Sequence, residues 1–310
     1  MEVKNKYENY IENFISENNI KEKEQFVYRG FIDLLVDMDT YITKWKNKDL
    51  DIFIESLQST SVNTIDKYLQ YIKKFYKFVC KKENIVSKHL FLSYDKNKYI
   101  DYSKLKTTIL NDQQYINLKN SFGYLYDGKE YNTRDKLMIE LAYNGLTAYD
   151  IKHLKINDVK LNNSQSAEIY LHDRIIKIDD EEVIKDIQKT INQDYYYIEP
   201  TENRKHQLRK LKDTEYIIRP VKTNQGKNDT VSNPSQILKK AFEKMQDYYP
   251  DKNIDLSMLT LEDIRRSKVI QMLKNEVPIE EVSSFLGKKS NCDLYWLKDL
   301  ANNLKNQKKW

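Results

Sequence analysis

Hydrophobic residues recur at steps of three and four along most of the chain, the spacing that lines one face of an α-helix. Tyr7, Tyr10, Ile11 and Phe14 open the pattern, and a second periodic stretch runs from Gln25 to Tyr41. A turn at Trp45–Leu50 leads into a short helix over Asp51–Leu57. The clearest segment is Thr64–Lys82, where Ile65, Tyr68, Leu69, Ile72, Phe75, Tyr76 and Val79 form one apolar stripe. Periodicity fades between Ser87 and Ile109, and the polar, Tyr- and Lys-biased stretch 95–106 reads as an interdomain linker. Beyond it the pattern predicts helices at Asp112–Asn120, Arg134–Asn144 with Gly145 as its C-cap, Tyr149–Leu154, Glu181–Asn192, Pro234–Asp247, Leu261–Asn275 and Ile279–Leu286. Only Ala167–Leu171 and Arg174–Ile178 alternate apolar with polar, around His172-Asp173, as a β-hairpin does. The class is mainly α with a small β-hairpin or sheet. Residues 1–100 form a helical domain and 101–310 a mixed α/β one.

Composition narrows the function classes. With 40% hydrophobic and 32% charged residues, but only 6 Gly and 5 Pro, the chain is neither disordered nor a turn-rich β-sandwich. Lys and Arg number 52 against 47 Asp and Glu, a net charge of +5, so any polyanion partner must be argued from where the charges sit. Cys80 and Cys292 lie far apart without metal spacing, which speaks against a disulfide framework or structural zinc and for a reducing compartment. The charged N-terminus has no apolar leader and no long apolar run follows, so a cytoplasmic, non-membrane protein is expected. His89, His153, His172 and His206 are scattered, and no Gly-rich phosphate loop occurs. Metal catalysis, Ser-His-Asp chemistry and nucleotide hydrolysis are therefore not expected, nor is any cofactor.

Charge placement brings nucleic acid into view. The face of Thr64–Lys82 opposite the apolar stripe carries Lys67, Lys73, Lys74, Lys77 and Lys81: an ordinary solvated surface, or one that follows a phosphate backbone. Arg204, Lys205, Arg209 and Lys210 lie in a run without a single acid, which reads as a disordered or DNA-following strap, or as a solvated loop.

The segment RDKLMIELAYNGLTAYDIKHLKINDV, from Arg134, resembles the opening of the catalytic domain of the tyrosine recombinases, or phage integrases. Upstream, WKNKDLDIFIESLQSTSVNTIDKYLQYIKKFYKFVCKKE looks like that family's helical core-binding domain. Downstream, Glu262-Asp263-Ile264-Arg265-Arg266-Ser267 occupies the family's His-x-x-Arg-His-Thr box, and Leu286-Gly287-Lys288 its Leu-Gly-His turn. The resemblance implies a two-domain clamp around duplex DNA and, in active members, attack of a tyrosine oxygen on a phosphate held by two arginines.

The same residues imply that the chemistry is degenerate. Thr147 stands where the family has its first arginine, Glu262 where it has the first histidine of the box, and Lys288 where it has the histidine of the turn. A hydroxyl cannot replace a bidentate guanidinium, and a carboxylate beside a phosphate repels it. Arg265 matches the surviving arginine. It is either an exposed helix arginine or a holder of DNA backbone, and Arg265→Ala is expected to weaken DNA binding with the fold intact. Arg266 and Lys288 join it as candidate DNA contacts. Arg174 lies near the family's hairpin lysine, as a phosphate contact or a solvated charge. Tyr295, closer to Gly287 than the family's nucleophile, is either that nucleophile or a packing residue beside Trp296.

These readings lead to a sequence-specific double-stranded DNA-binding protein on a recombinase scaffold that has lost its activity, a prophage transcriptional repressor at the bacterial nucleoid. A divergent active recombinase using Tyr295, and an inactive subunit accessory to a true integrase, are the alternatives. The tail Leu294–Trp310 could self-associate by exchange between protomers or fold back on its own chain.

Overall fold

Aromatic residues at helical spacing bring the first helices together. The computed structural model describes residues 2–38, 41–57, 59, 62–87, 99–122, 124–126, 129–162, 165–198, 207–222, 228–246, 249, 251, 253–288, 291 and 294–306. The chain divides into two compact units, Met1–Leu105 and Lys106–Trp310. In the first, α1 (Glu2–Glu17), α2 (Glu22–Asp37), α3 (Asn47–Ser56) and α4 (Val62–Lys82) enclose a core that includes Tyr7, Phe14, Tyr28, Phe31, Trp45, Phe53, Phe75 and Tyr76. The rings meet edge to face, as aromatic quadrupoles favour: Phe14 on Phe75 at 5.8 Å and Phe31 on Phe53 at 5.4 Å. The Tyr7 hydroxyl accepts from the Ile42 N–H while Tyr10 and Tyr41 donate to Glu83, but the buried Tyr28 hydroxyl finds no partner among the described residues. α4 carries its apolar stripe inward as its sequence predicts. The expected second helix begins three residues earlier than Gln25 and stops at Asp37, and α3 starts before Asp51 because Asp49 accepts from the Lys46 N–H and caps it. Part of the expected linker is the short helix α5 (Tyr102–Lys106).

The second unit is built around one helix buried all along its length. α6 (Asp112–Asn120) precedes a hairpin of β1 (Tyr124–Tyr126) and β2 (Lys129–Tyr131); then come α7 (Thr133–Tyr143) and α8 (Ala148–His153). β3 (Val159–Asn162), β4 (Ser166–Tyr170) and β5 (Ile175–Ile178) form an antiparallel sheet in which β4 is central, pairing Ile169 with Val159 on one side and with Ile176 on the other. The expected hairpin is there, with one strand more. α9 (Glu181–Ile191) leads to a hairpin of β6 (Tyr195–Ile198) and β7 (Gln207–Lys210), and α10 (Pro234–Met245), α11 (Leu261–Lys274), α12 (Ile279–Phe285) and α13 (Tyr295–Asn306) complete the unit. Every residue of α7 is buried, and α6, α9 and α11 pack around it. α13 turns Leu297, Leu300, Ala301 and Leu304 inward and packs on α11 of its own chain.

A helix buried on every side must pair its charges internally, and α7 carries four. Arg134 donates to Asp135 and to the Arg219 carbonyl, both at 2.9 Å, and its guanidinium lies over the Tyr196 ring, whose hydroxyl donates to Asp135 at 2.7 Å. Lys136 binds Glu182 at 2.7 Å and Asp186 at 2.8 Å, and Lys119 of α6 binds Glu182 at 2.6 Å. The fully buried Glu140 completes a group of three carboxylates around two ammoniums. Its oxygens accept no hydrogen bond, and the nearest ammoniums stand 3.9 and 4.0 Å away. Burial, with Asp186 beside it, pushes the Glu140 carboxyl up to about 8, which leaves the group neutral at lower pH, while the two lysines hold Glu182 down at about 2.

Candidate functional site

Two helices of the second unit end in left-handed glycine turns, and these turns create the site. α7 closes with Gly145 (φ +95°), whose N–H bonds the Ala142 carbonyl while Leu146 N–H reaches Leu141; α12 closes in the same way with Gly287 (φ +65°), Gly287 to Ser284 and Lys288 to Ser283. Both are Schellman motifs, in which glycine supplies the positive φ that other residues reach only with strain. The turns also approach closely. A Cβ on Gly145 would sit 2.9 Å from the Phe285 carbonyl, and one on Gly287 would overlap the Arg174 guanidinium and lie 2.9 Å from an Asp173 oxygen.

Arg265 ties the two turns together. From α11 its Nε donates to the Gly145 carbonyl at 3.0 Å, its Nη2 to the Leu286 carbonyl at 3.1 Å and its Nη1 to Glu262 at 3.0 Å, leaving the residue 7% exposed. The expectation of an exposed arginine is corrected by this geometry: the side chain is buried and satisfies carbonyls that the helix ends leave open. Arg174 arrives from the start of β5 and donates to the same Gly145 oxygen at 3.2 Å. Its other partners are Asp173 at 3.2 Å and Asp150 at 3.4 Å, so it is not a freely solvated hairpin charge. Thr147 serves as the N-cap of α8, its hydroxyl donating to Asp150 at 2.8 Å while the Asp150 N–H returns to that hydroxyl.

The structure thus brings Thr147, Arg174, Glu262, Arg265 and the Gly287 turn into one place, although they come from four separate segments. Arg266 is committed to Asp263 at 2.8 Å and lies over the Trp296 ring, and Lys288 is half-buried on the Gly287 turn. Tyr295, the first residue of α13, is 55% exposed, and its side chain makes no hydrogen bond to a described residue. Asp150 and Asp173 are the site residues that sequence reasoning missed. The spacing Thr147-x-x-Asp150 carries a capping signal that would have placed Asp150, whereas nothing local marks Asp173 as an arginine partner.

Elsewhere, Lys67, Lys74, Lys77 and Lys81 stand exposed along α4 with Lys73 half-buried beside them, and none of the five pairs with a carboxylate among the described residues. Their neighbour Lys82 does, with Glu17 at 2.6 Å. The basic run is corrected in part: Arg209 and Lys210 belong to β7, opposite Tyr196 and Tyr195, and are not a disordered strap; Arg204 and Lys205 lie outside the described residues. The carboxylates of Glu140, Glu182 and Asp186 offer oxygens within 4.8 Å of one another, spacing that could suit a cation, but the ammoniums of Lys119 and Lys136 neutralise that cluster. No helix among the described residues is long and apolar enough to cross a membrane.

Comparison with known proteins fits this geometry. The family described as MrpR, C-terminal catalytic domain, matches residues 125–282. Solved structures of the same fold include the Tn1549 transposon integrase in complex with circular intermediate DNA, 13% identical over 94% of this chain and 94% of that one, with a TM-score of 0.52. They also include the XerH site-specific recombinase bound to a palindromic difH substrate in a post-cleavage complex, 15% identical over 89% of this chain and 74% of that one, again with a TM-score of 0.52. The fold is that of the tyrosine recombinases. Comparison with curated proteins yields no match.

Proposed function

The chain belongs to the family of the MrpR C-terminal catalytic domain, and on that footing we propose that it is a sequence-specific duplex-DNA-binding regulator that holds the strand without cutting it. In this reading residues 1–105 act as the core-binding half of a clamp and 106–310 as its catalytic-like half. The observation that carries the proposal is the lysine stripe of α4, which pairs with no carboxylate among the described residues. From Lys67 to Lys81 it runs about 21 Å at a helical rise of about 1.5 Å per residue, the length of duplex axis over which one strand carries roughly six phosphates at a rise of about 3.4 Å each. Lysines left without carboxylate partners retain their charge for an external polyanion.

Loss of cleavage is argued from the site. A tyrosine hydroxyl is a weak nucleophile near its ordinary pKa of about 10 and needs a base and a cationic cradle. Tyr295 has no side-chain hydrogen-bond partner among the described residues to act as its base, and Thr147 offers only a hydroxyl, already given to Asp150. The role that suits such a protein is transcriptional repression in a prophage, since the chain is similar in length and in its Lys/Asn/Ile-rich composition to the repressor that keeps SPβ-type prophages lysogenic.

Duplex binding is therefore expected to weaken steeply with salt, with a log–log slope near roughly −5 for about six neutralised phosphates. Replacing Lys74, Lys77 and Lys81 together by Gln should flatten that slope by about 3. Fluorescence anisotropy with DNA fragments recovered from cells, titrated over a range of salt, measures both. A flat salt response of the wild-type protein would rule the clamp out.

A further inference from the structure

Two guanidiniums donating to one carbonyl oxygen repel each other, and a site of this kind is stable only with anions on its outer side. Arg174 and Arg265 share the Gly145 oxygen in this way, at 3.2 and 3.0 Å. Each also has an outward arm closed by a carboxylate: Asp173 takes Arg174 Nη1 through both oxygens at 3.2 Å, and Glu262 takes Arg265 Nη1 at 3.0 Å. These two carboxylates differ from Asp150. Asp150 is held by the Thr147 N–H and hydroxyl as part of a helix cap and is mostly covered, whereas the Asp173 and Glu262 side chains are 48% and 57% exposed. The buried Nε of Arg174 has no acceptor.

We propose that Asp173 and Glu262 are internal counter-ions which a phosphate oxyanion displaces from Arg174 and Arg265, so that the pair forms an anion-exchange seat gated by its own carboxylates. The proposal rests on the reading of duplex DNA as the partner and specifies how one of its phosphates is admitted. Arg174 thereby supplies a second guanidinium beside Arg265 in a chain that has Thr147 where an arginine is expected. Its inner arm stays on Gly145 and its outer arm exchanges. Gly287 is the positioning residue for this seat, because a side chain there would overlap the Arg174 guanidinium. A phosphate offers the same planar pairs of oxygens as a carboxylate and carries more acceptor sites, so exchange preserves the hydrogen bonds already made. The free protein keeps its cations neutralised, and weak polyanion contacts elsewhere do not open the seat.

The test uses the full chain and two probes, inorganic phosphate followed by 31P line broadening and a mixed-sequence duplex followed by anisotropy. In the Asp173→Asn, Glu262→Gln double variant both probes should bind tighter than to wild type, by about threefold to tenfold from the loss of two partly exposed ion pairs. Adding Arg174→Gln should abolish the gain, with thermal melting used to show that each variant is folded. The Arg174 dependence separates exchange from a general change in net charge. If the folded double variant binds neither probe more tightly, or if Arg174→Gln leaves the gain in place, the gate is wrong. A gain for phosphate alone, with duplex binding present but unchanged, overturns the assignment of a DNA phosphate to the seat. A gain for phosphate in a protein that binds no duplex at all supports the gate while overturning the DNA reading.

Discussion

Arg265→Ala is expected to destabilise the protein by about 2–4 kcal/mol, the cost of leaving a buried carbonyl without a donor together with the lost bonds of a buried guanidinium. Three groups lose a donor at once: the Gly145 carbonyl at the end of α7, which keeps only its longer bond from Arg174, the buried Leu286 carbonyl at the end of α12, and Glu262, which is exposed to water. The first two are open ends of helices brought together at one point, so the loss loosens the relation of α7, α11 and α12 as well as a local contact. Arg265→Lys should recover only part of the stability, because a single ammonium cannot reproduce a guanidinium fork that reaches two carbonyls on different turns. Urea denaturation followed by circular dichroism measures both. A midpoint unchanged in Arg265→Ala would mean that the two turns hold without it.

The second large effect concerns Glu140→Gln and depends on pH. Glu140 faces Lys119 from α6, Lys136 on its own helix, and Glu182 and Asp186 from α9, with Tyr115 close enough to feel its charge. Its folded-state pKa, about 8, lies above the value of 4.5 that an unperturbed carboxyl keeps. The native state therefore holds a proton that the unfolded chain releases, and this contribution to stability is fully present below pH 4.5 and is lost as pH rises to 8. Glutamine cannot ionise. The variant should match the wild type within about 1 kcal/mol at pH 5 and exceed it by about 2–4 kcal/mol at pH 9, at roughly 1.4 kcal/mol per pH unit with allowance for relaxation. Glu182 acts in the opposite sense and in another window: its pKa of about 2 adds stability above pH 4.5 that is lost as pH falls through 2. Denaturation curves from pH 5 to pH 9 decide the matter, and parallel pH profiles for variant and wild type would show that Glu140 is ionised throughout.

Long periodic segments were legible in the chain, as was the alternating β4–β5 hairpin, and the other short paired strands were not. The stripe of Ile65, Leu69, Ile72, Phe75, Tyr76 and Val79 repeats often enough to define a helix face, and Gly145 marks the end of α7 because its turn requires positive φ. The strands of β1, β2, β6 and β7 have only three or four residues, too few for alternation to rise above its surroundings. In β7 the basic residues hid a strand, because Arg209 and Lys210 suggest solvent by type and find their place only across from Tyr196 and Tyr195. The same division runs through the site. Thr147, Glu262, Arg265 and Lys288 stand out by their places in a motif, whereas the burial of Arg265 and the capture of Arg174 by Asp173 and Asp150 depend on contacts between distant segments. The charges of α7 illustrate the limit: by type Arg134, Lys136 and Glu140 belong on a surface, and only the partners on α6, α9 and β6 allow them inside.

The most direct test of binding without cleavage is a search for the covalent intermediate. DNA fragments bound by the protein in cells supply the target, and a nicked duplex of that sequence, whose cleaved strand diffuses away, traps any tyrosyl-phosphate bond that forms. Wild-type protein should shift the duplex fully in a native gel and yield no adduct on denaturation, and Tyr295→Phe should bind with the same affinity. A denaturation-resistant adduct formed by the wild type and lost in Tyr295→Phe would contradict the account and make the protein an active recombinase.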